Sequence, residues 1–533
     1  MTEDFNNMNS NSYDEVPYPS NVFKPTQPDK LATIATLFGM QPPAIERCRV
    51  LELGCASGNN LIAMAQAMPD SQFIGIDLSK RQVEYGQNNI RYLGLKNITL
   101  KQMNIMAIDH QLGRFDYIVA HGVYSWVPPP VQDKLLQICH DNLVHQGVAY
   151  VSYNIYPGWY INGMVREMML YHTQQFATSQ EKIEQARALI NFLVESTQND
   201  NDFYSSVLKT KLDSLNQKPD SYLLHEHLEE NNIPTFFYQF IERAKQHQLQ
   251  YLSDTELSTM FAANFPRKIA ETLRMSGDQV RQEQYTDFLL NREFRQTLLC
   301  HQDISLNRIL KPEIIRNFYI AAPIQPYSSP LNLNDQLLEK FKILGNDKIT
   351  LSAESSIAKA VCLCLGESWP QSLSYNDLMQ HAYARLGVDI KPNQITAAVN
   401  NNISTFLLEL SVKSNKVEFH TRPENFTLTI SEYPLASPLA RLQVQQQAQV
   451  TNLRHDNCNL DSLTQYLLPY LDGNHNKTML VDMVLAAIEK GEMTVRMEKD
   501  NQTITDSEKL RSYAANYVKV VLENLSKNAF LMA

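Results

Sequence analysis

The sequence predicts an α/β fold with a Rossmann-like core, followed by a helical middle region and by winged-helix-like modules towards the C-terminal end. Three observations lead to this prediction. The apolar run 50–53 ends in a turn that contains Gly54 and Gly58, and a second apolar run ends in Asp77. Apolar residues recur at three- and four-residue spacing in 186–193 and 285–294, which is typical of helices. Beyond Pro323, helical patterns alternate with short strand patterns.

The turn after the first strand predicts a site for a nucleotide cofactor. A strand, a glycine-rich turn, a helix and a second strand that ends in a carboxylate form one half of such a site. Gly54 and Gly58 let the backbone approach a ligand where a Cβ atom would collide. Asp77 is expected to accept hydrogen bonds from both ribose hydroxyls.

The residues of this turn favour one cofactor over the others. They do not follow the G-x-G-x-x-G pattern of dinucleotide sites. Glu52 stands two residues before the first glycine, where a carboxylate repels a pyrophosphate and attracts an ammonium group. S-adenosylmethionine has an amino-acid end, a sulfonium and an adenosine, so the turn favours it. A nucleotide fold of another kind is the alternative.

Three more predicted strands, in 97–104, 115–121 and 147–154, continue the sheet, and 115–121 is apolar with a polar end. Because ligands of open α/β sheets bind at the carboxyl ends of the strands, the polar residues at these ends should lie together. The turn resembles the first glycine-rich motif of the class I S-adenosylmethionine-dependent methyltransferases, with an alanine where a glycine is commoner. Asn104 stands where that family commonly has an aspartate, and its amide oxygen is expected to bind the adenine amino group. The expected cofactor-binding residues are Glu52, Gly54, Cys55, Ala56, Gly58, Asp77, Leu78, Asn104, Ile105 and His121.

Two aromatic clusters follow the fourth and fifth predicted strands, in 121–128 and 153–160. Both should project from the edge at which the cofactor presents its methyl group. Aromatic faces attract ammonium and alkylammonium groups, so these rings are candidates for a substrate pocket; packing over the cofactor is the alternative. Tyr18, on the N-terminal arm, could close over the same site. The candidate pocket residues are Tyr18, Tyr124, Trp126, Tyr156 and Trp159.

Three polar residues at the same strand ends are candidates for catalysis. His121 is the first candidate for a general base and Tyr153 the second, and Asn154 ends the fifth strand. A dedicated base is optional for methyl transfer to an amine, and a lone histidine at a strand end often serves only as a structural hydrogen-bonding group. No set of His, Cys, Asp or Glu has the spacing of a zinc site, because His225 and His227 do not share a helix face.

Length, composition and charge limit the class of protein. A chain of 533 residues should hold several domains. Its net charge of −10 argues against bulk attraction to nucleic acid or anionic membranes. Seven scattered cysteines without a disulfide framework indicate a reducing compartment. The sequence shows neither a secretory signal nor an apolar run long enough for a membrane span, so we expect a cytoplasmic protein.

Composition and periodicity place the domain boundaries. Residues 1–30 are rich in Asn and Pro and predict an N-terminal arm without regular structure. Prolines at 323, 326 and 330 mark one later boundary, and Pro434 and Pro438 mark another. The predicted division is the arm 1–30, the cofactor-binding core 31–171, a helical region 172–322, a winged-helix-like module 323–433 and a second helical module 434–533.

The winged-helix-like module invites a comparison with DNA-binding domains. The order helix, helix and strand is predicted over 374–386, 393–410 and 416–420. The candidate recognition helix has no Lys or Arg between Lys391 and Lys413, and such residues supply most of the affinity for phosphates. We therefore expect no nucleic-acid partner and predict a packing or protein-contact role for this module.

Several stretches together resemble one bacterial group of class I methyltransferases, those with a methyltransferase regulatory domain. The stretches in the core are 13–18, 51–58, 121–128 and 153–159, and 222–229 and 294–300 resemble the start and end of the regulatory domain, about 219–301. The rickettsial protein-lysine methyltransferases that act on outer-membrane protein share this plan. The resemblance implies an S-adenosylmethionine-dependent enzyme, a lysine of a surface or outer-membrane protein as substrate, and a homodimer formed through the middle region. A small-molecule N- or O-methyltransferase and a non-catalytic, cofactor-binding scaffold are the alternatives.

Overall fold

The computed structural model describes residues 21–196, 202–328, 331–333, 336–447, 449–493 and 507–533. They form two compact units. The first contains the residues up to Leu310, apart from two short segments, Val22–Lys24 and Ile62–Ala67, that group with the second. The second unit begins at Lys311.

A seven-stranded sheet is the centre of the first unit. The order of its strands is β3-β2-β1-β4-β5-β7-β6. The first five strands run parallel, and β7 is antiparallel to both of its neighbours. The strands are β1 (Arg49–Leu53), β2 (Gln72–Asp77), β3 (Ile98–Gln102), β4 (Phe115–Ala120), β5 (Leu143–Asn154), β6 (Leu249–Asp254) and β7 (Phe294–His301).

The parallel strands are apolar because helices cover both of their faces. In β1, Leu51 pairs with Ile74 of β2 and with Ile118 of β4, and Leu51 and Ile118 are fully buried. This register aligns the carboxyl ends of the strands along one edge, where the predicted site residues follow. The fold class predicted from the sequence is confirmed.

Ten helices of at least eight residues accompany the sheet in the described part of the first unit. The third begins at a Ser79 cap, whose hydroxyl accepts a hydrogen bond from the Gln82 amide at 3.2 Å, and ends at Gly94, which is left-handed. The helices are α1 (Pro28–Leu37), α2 (Asn59–Ala67), α3 (Lys80–Leu93), α4 (Pro129–Asp141), α5 (Trp159–Thr173), α6 (Ser179–Ser196), α7 (Phe203–Asn216), α8 (Phe237–Gln246), α9 (Arg267–Arg274) and α10 (Gln279–Leu290).

The predicted end of the core at residue 171 does not coincide with the end of the sheet. Strands β6 and β7 come from 249–301, the region expected to form a separate regulatory domain, and β7 pairs with β5 along Ala149–Asn154. Helices α5, α6 and α7 share an apolar core of their own. The helical region is thus an insertion, and the sheet is completed only after it.

The second unit contains two modules. In the first, α11 (Ser356–Ser368), α12 (Tyr375–Arg385) and α13 (Ala397–Lys413) accompany a sheet of the order β12-β8-β13. Its strands are β8 (Tyr319–Ala321), β12 (Leu373–Ser374) and β13 (Glu418–His420), and a further sheet contains β9 (Ile324–Pro326), β10 (Glu339–Ile343) and β11 (Asn346–Ala353). The helix, helix and strand expected over 374–420 are present, with one more helix before them.

The second module has its own apolar core, formed by residues between Ala436 and Leu531. It contains a two-stranded ribbon as well as helices, as expected for a helical module with short strands. Its elements are α14 (Pro438–Gln443), β14 (Gln449–Thr451), β15 (Asn457–Asn459), α15 (Ser462–Leu467), α16 (Lys477–Glu489) and α17 (Ser507–Lys527). Among the residues described, no helix is both long and apolar enough to cross a membrane.

Candidate functional site

The turn between β1 and α2 is a tight backbone cradle. Gly54, Ala56 and Gly58 have φ angles of +71°, +50° and +74°. A Cβ atom on Gly54 would lie 2.4 Å from Val123 Cγ2, and one on Gly58 would lie 2.7 Å from Leu100 Cδ1, so neither position accepts a side chain. Ala56 adopts the left-handed conformation that a glycine adopts without strain.

Glu52 is the last residue but one of β1, beside this turn, and it is almost completely buried. Asn60 Nδ2 donates a hydrogen bond to Glu52 Oε1 at 2.8 Å. The other carboxylate oxygen, Oε2, is buried and has no hydrogen-bond partner among the described residues. Desolvation raises the pKa of Glu52 to about 8, against the opposing effect of the Asn60 hydrogen bond. A cationic group placed at Oε2 would therefore restore the charge of this carboxylate.

Asp77, at the end of β2, holds the turn between β1 and α2 in place. Its Oδ2 accepts a hydrogen bond from the Ala56 amide and its Oδ1 accepts one from the Ser79 amide, both at 2.8 Å. The expected ribose contact remains a proposal.

Asn104 follows β3 at the same edge of the sheet. Its Oδ1 accepts a hydrogen bond from the Met106 amide at 2.9 Å, which caps the short turn that begins at Ile105. The oxygen expected to bind the adenine amino group is thus already an acceptor, with one lone pair left. Leu78 is 56% exposed and Cys55 is buried; a ligand covering Leu78 would bury apolar surface.

His121 follows β4 and points towards β5. Its Nδ1 lies 2.8 Å from Tyr150 Oη and 3.4 Å from Ser152 Oγ. Burial lowers the pKa of His121 to about 3, so the imidazole is neutral at physiological pH. A group with this pKa is a weak base, which argues for a binding role and against the expected role as general base.

Two aromatic residues predicted for the site point away from it. Tyr153 is buried, stacks on Phe240 of α8 at 4.0 Å between ring centroids, and its hydroxyl pairs with Thr297 at 2.9 Å. Tyr124 is fully buried, packs edge-on against Phe240 and accepts a hydrogen bond from Arg243 at 3.3 Å. Successive side chains of a strand alternate between faces, so Tyr153 lies on the face opposite Ser152 and Asn154. Both tyrosines are core residues, which corrects their assignment as second base and as pocket residue.

The other predicted pocket residues remain near the strand ends. Trp126 and Trp159 are in edge-to-face contact at 6.5 Å, and the partly exposed Tyr156 stacks on Tyr160 at 4.3 Å. Phe236 adds a third ring beside Tyr156, at 5.4 Å. Their role in substrate binding remains a proposal. Tyr18 lies outside the described residues.

The segment 229–236 contacts the strand ends of the candidate site, a position that was not predicted from the sequence. The Ile233 amide donates to the Ser125 carbonyl at 2.8 Å, and the Thr235 amide donates to the Asn154 carbonyl at 3.1 Å. Asn154 Nδ2 donates to Asn232 Oδ1 at 3.2 Å. These contacts join residues that are at least 78 positions apart in the sequence, and no local sequence pattern predicts such pairs. The run Asn231-Asn232 was the only local signal, and it reads equally well as a loop.

Arg166 of α5 fixes the start of this segment. It is buried, and its guanidinium donates to the carbonyl oxygens of His227, Glu229 and Glu230. An arginine whose donors are all directed at backbone carbonyls holds the chain in one path. The helical insertion is in this way connected to the strand ends.

The residues of the turn fit S-adenosylmethionine. The cradle at Gly54, Ala56 and Gly58 admits a ligand close to the backbone, and the buried Glu52 Oε2, which lacks a partner in the described chain, suits the ammonium group of an amino acid. Asp77 and Asn104 lie at the neighbouring strand ends, as a ribose and an adenine require. The carboxylate at Glu52 would not suit a pyrophosphate.

Comparisons with known proteins identify the family of the chain. Three family models match the chain: "Methyltransferase domain" over residues 45–227, "Predicted methyltransferase regulatory domain" over 219–301, and "PKMT, C-terminal winged helix domain" over 432–530. The last match identifies the second C-terminal module, predicted here as helical, as a winged-helix domain.

Solved structures and curated relatives extend the match to nearly the whole chain. The structure of PKMT2 from Rickettsia typhi in complex with AdoHcy is 35% identical in sequence, superimposes with a TM-score of 0.86, and the match covers 97% of this chain and 100% of that one. An uncharacterized protein of Rickettsia prowazekii, RP789, is 37% identical over 530 residues, 98% of this chain and 94% of its own. A second, RP028, is 43% identical over 244 residues, 46% of this chain and 98% of its own. The chain therefore belongs to the class I S-adenosylmethionine-dependent methyltransferases that carry a methyltransferase regulatory domain and a PKMT-type C-terminal winged-helix domain.

Proposed function

We propose that this methyltransferase methylates lysine side chains of a protein substrate. The observation that carries the proposal is the uncharged character of the strand ends beside the cofactor turn, where a neutral His121, the Asn154 amide and aromatic rings meet. The similarity to PKMT2 along almost the whole chain supports the same conclusion. A surface or outer-membrane protein as substrate, and a homodimer, rest on the resemblance to the rickettsial enzymes alone.

A lysine substrate must lose its proton before it reacts. With a pKa of about 10.4, the neutral amine costs roughly 4.6 kcal/mol at pH 7. Entry into a desolvated, aromatic environment lowers the pKa of an amine. When bound, S-adenosylmethionine supplies an electrophilic methyl carbon on a cationic sulfur, which leaves with the carbon–sulfur bonding electrons as the lysine nitrogen bonds to the carbon.

The residues of the chain bind and orient the amine without taking its proton. Transfer from an ammonium with a pKa of about 10.4 to an imidazole with a pKa of about 3 is uphill by roughly 10 kcal/mol. The proton therefore leaves to solvent as the side chain enters the site. Trp126, Tyr156 and Trp159 are proposed to surround the alkyl chain, and holding the two reactants in line can supply several kcal/mol.

The test is transfer of a tritiated methyl group from S-adenosylmethionine to an extract of unmethylated envelope and soluble proteins. We expect label in discrete protein bands that survives mild base and maps to lysine by mass spectrometry. Label only in small molecules would overturn the lysine proposal and support a small-molecule methyltransferase. Label in no fraction, with cofactor binding intact by calorimetry, would support a cofactor-binding scaffold.

A pair of matched variants makes this test specific for the site. Asp77→Asn removes the charge that holds the Ala56 and Ser79 amides and should abolish both transfer and cofactor binding. Asp70→Asn makes the same change on an exposed residue of the loop before β2 and should leave both unchanged.

A further inference from the structure

Asn154 and Asn232 form an amide pair at the end of β5, one from the sheet and one from the segment 229–236. Asn154 is 5% exposed, and its Nδ2 donates a hydrogen bond to Asn232 Oδ1. The backbone around the pair is fixed, because Asn154 also bonds Ser125 Oγ through its amide at 2.9 Å and Thr235 through its carbonyl at 3.1 Å. The pair is therefore held in place from both sides.

The hydrogen-bonding capacity of this pair is not used up by the protein. Two amides carry two oxygens and two NH₂ groups, and one bond joins them. Asn232 Nδ2 is buried and has no partner within the described chain. Whichever way the two amides are oriented, one carbonyl oxygen and one NH₂ group remain for a ligand, and a buried polar group left unpaired is destabilising.

We propose that Asn232 is a substrate-binding residue, and that the Asn154–Asn232 pair receives the methyl-accepting amine: its remaining oxygen accepts an N–H of the amine, and its remaining NH₂ donates to a carbonyl oxygen of the substrate backbone. This inference rests on the proposed function and specifies which residues meet the lysine. It also assigns a direct role in substrate binding to the first segment of the regulatory domain.

A neutral acceptor is the appropriate one for this reaction. A carboxylate in contact with an amine favours its charged form and raises its pKa, which would hold the lysine in the unreactive state. An amide oxygen orients the N–H without that penalty, and its dipole stabilises the positive charge that forms on nitrogen. Two charged groups at the start of the segment are engaged elsewhere: Arg166 of α5 with backbone carbonyls, and Glu229 with His225 at 3.0 Å.

The variant Asn232→Asp tests this inference, because it keeps the shape of the side chain and adds the charge. We expect the pH profile of methyl transfer to the protein extract to move to higher pH by about one unit. Asn88→Asp, the same change on the exposed face of α3, should leave the profile unchanged. An unshifted profile in Asn232→Asp would overturn the proposal.

A binding measurement separates this inference from the proposed function. With the protein saturated by AdoHcy, n-butylamine serves as a probe for the lysine side chain. Calorimetry should show that Asn232→Ala weakens n-butylamine binding at least fivefold while AdoHcy affinity stays the same, and that Asn232→Asp tightens it at pH 7, where the probe is charged. Equal binding by all three proteins would overturn the inference even if the wild type methylates lysine. Asn232-dependent binding of n-butylamine, without transfer to any protein, would support the amine site and contradict the protein substrate.

Discussion

Glu52 combines a proposed role in cofactor binding with a cost to stability. Its pKa of about 8 lies above the value of 4.5 of a free glutamate, so the folded protein binds more protons than the unfolded chain between these pH values. Stability of the cofactor-free protein therefore falls as pH rises from about 4.5 to 8. The fold alone does not favour this buried carboxylate, which we propose binds the ammonium group of the cofactor.

We expect Glu52→Gln to stabilise the cofactor-free protein at pH 8 by a few kcal/mol, because a neutral amide removes the cost of a buried charge. The same change should weaken AdoHcy binding at least tenfold. At pH 7 the wild type should release most of one proton on binding, and the variant none. Urea unfolding and calorimetry in two buffers of different ionisation enthalpy measure these effects. A variant that is less stable at pH 8, or that still releases the proton, would contradict this account.

Tyr153 shows how a plausible catalytic residue can be a packing residue. We expect Tyr153→Phe to lose the hydrogen bond to Thr297 and about 1 kcal/mol of stability, with kcat unchanged. Thermal unfolding and initial rates at saturating substrate measure the two quantities. Tyr156→Phe, the same change at the proposed substrate site, is the variant for comparison. A loss of kcat by tenfold or more in Tyr153→Phe would restore its role as a base.

At the scale of the element, the segment 229–236 is the least predictable part of the site. It contains neither a helix nor a strand, and it is held by hydrogen bonds to Ser125, Asn154 and Arg166. The strands that bear the proposed cofactor-binding residues could be predicted from local apolar runs. The path of this segment is instead determined by contacts between distant parts of the chain.

Arg166→Met should release this segment while leaving the cofactor turn intact. Each hydrogen bond from a charged group contributes about 1.5–3 kcal/mol, so we expect a fall in stability of at least 2 kcal/mol. Faster hydrogen exchange in 227–236 and a tenfold fall in methyl transfer should accompany it, with AdoHcy affinity unchanged. Arg187→Met, which removes an arginine of α6 that pairs with Asp220 near the surface, is the control. Unchanged exchange in 227–236 would contradict the role of Arg166.

At the scale of the whole molecule, the sheet joins parts of the chain that the sequence suggests are separate domains. Arg295 of β7 is fully buried and pairs with Asp287 at 2.9 Å and with Glu283 at 3.0 Å, both from α10. Its guanidinium lies over the Phe237 ring at 3.7 Å. The region matched as regulatory thus supplies both a polar core and the last two strands of the catalytic sheet.

A fragment that ends at residue 171 should therefore fail to fold. In the full chain, β7 pairs with β5 over six residue pairs. Without β7, strand β5 would be an unpaired edge of the sheet, and an apolar face that is normally buried would be exposed. Circular dichroism and urea unfolding should show no cooperative transition. A fragment that extends to Leu310 restores β6 and β7 and is the comparison. A cooperative transition in the shorter fragment would mean that the core is complete without these strands.

The cofactor class and a candidate site for it were predictable from local sequence alone. Glu52, Gly54, Gly58 and Asp77 could be proposed because a strand, a turn and a strand end are local features, and each requires particular residue types in a short stretch. The fold class followed for the same reason. Tertiary structure alone decided the rest: that Tyr124 and Tyr153 face the core, that His121 is neutral, that β6 and β7 complete the sheet, and that Asn232 meets Asn154. Burial and pairing between distant residues are set by how the elements pack, and no local pattern encodes them.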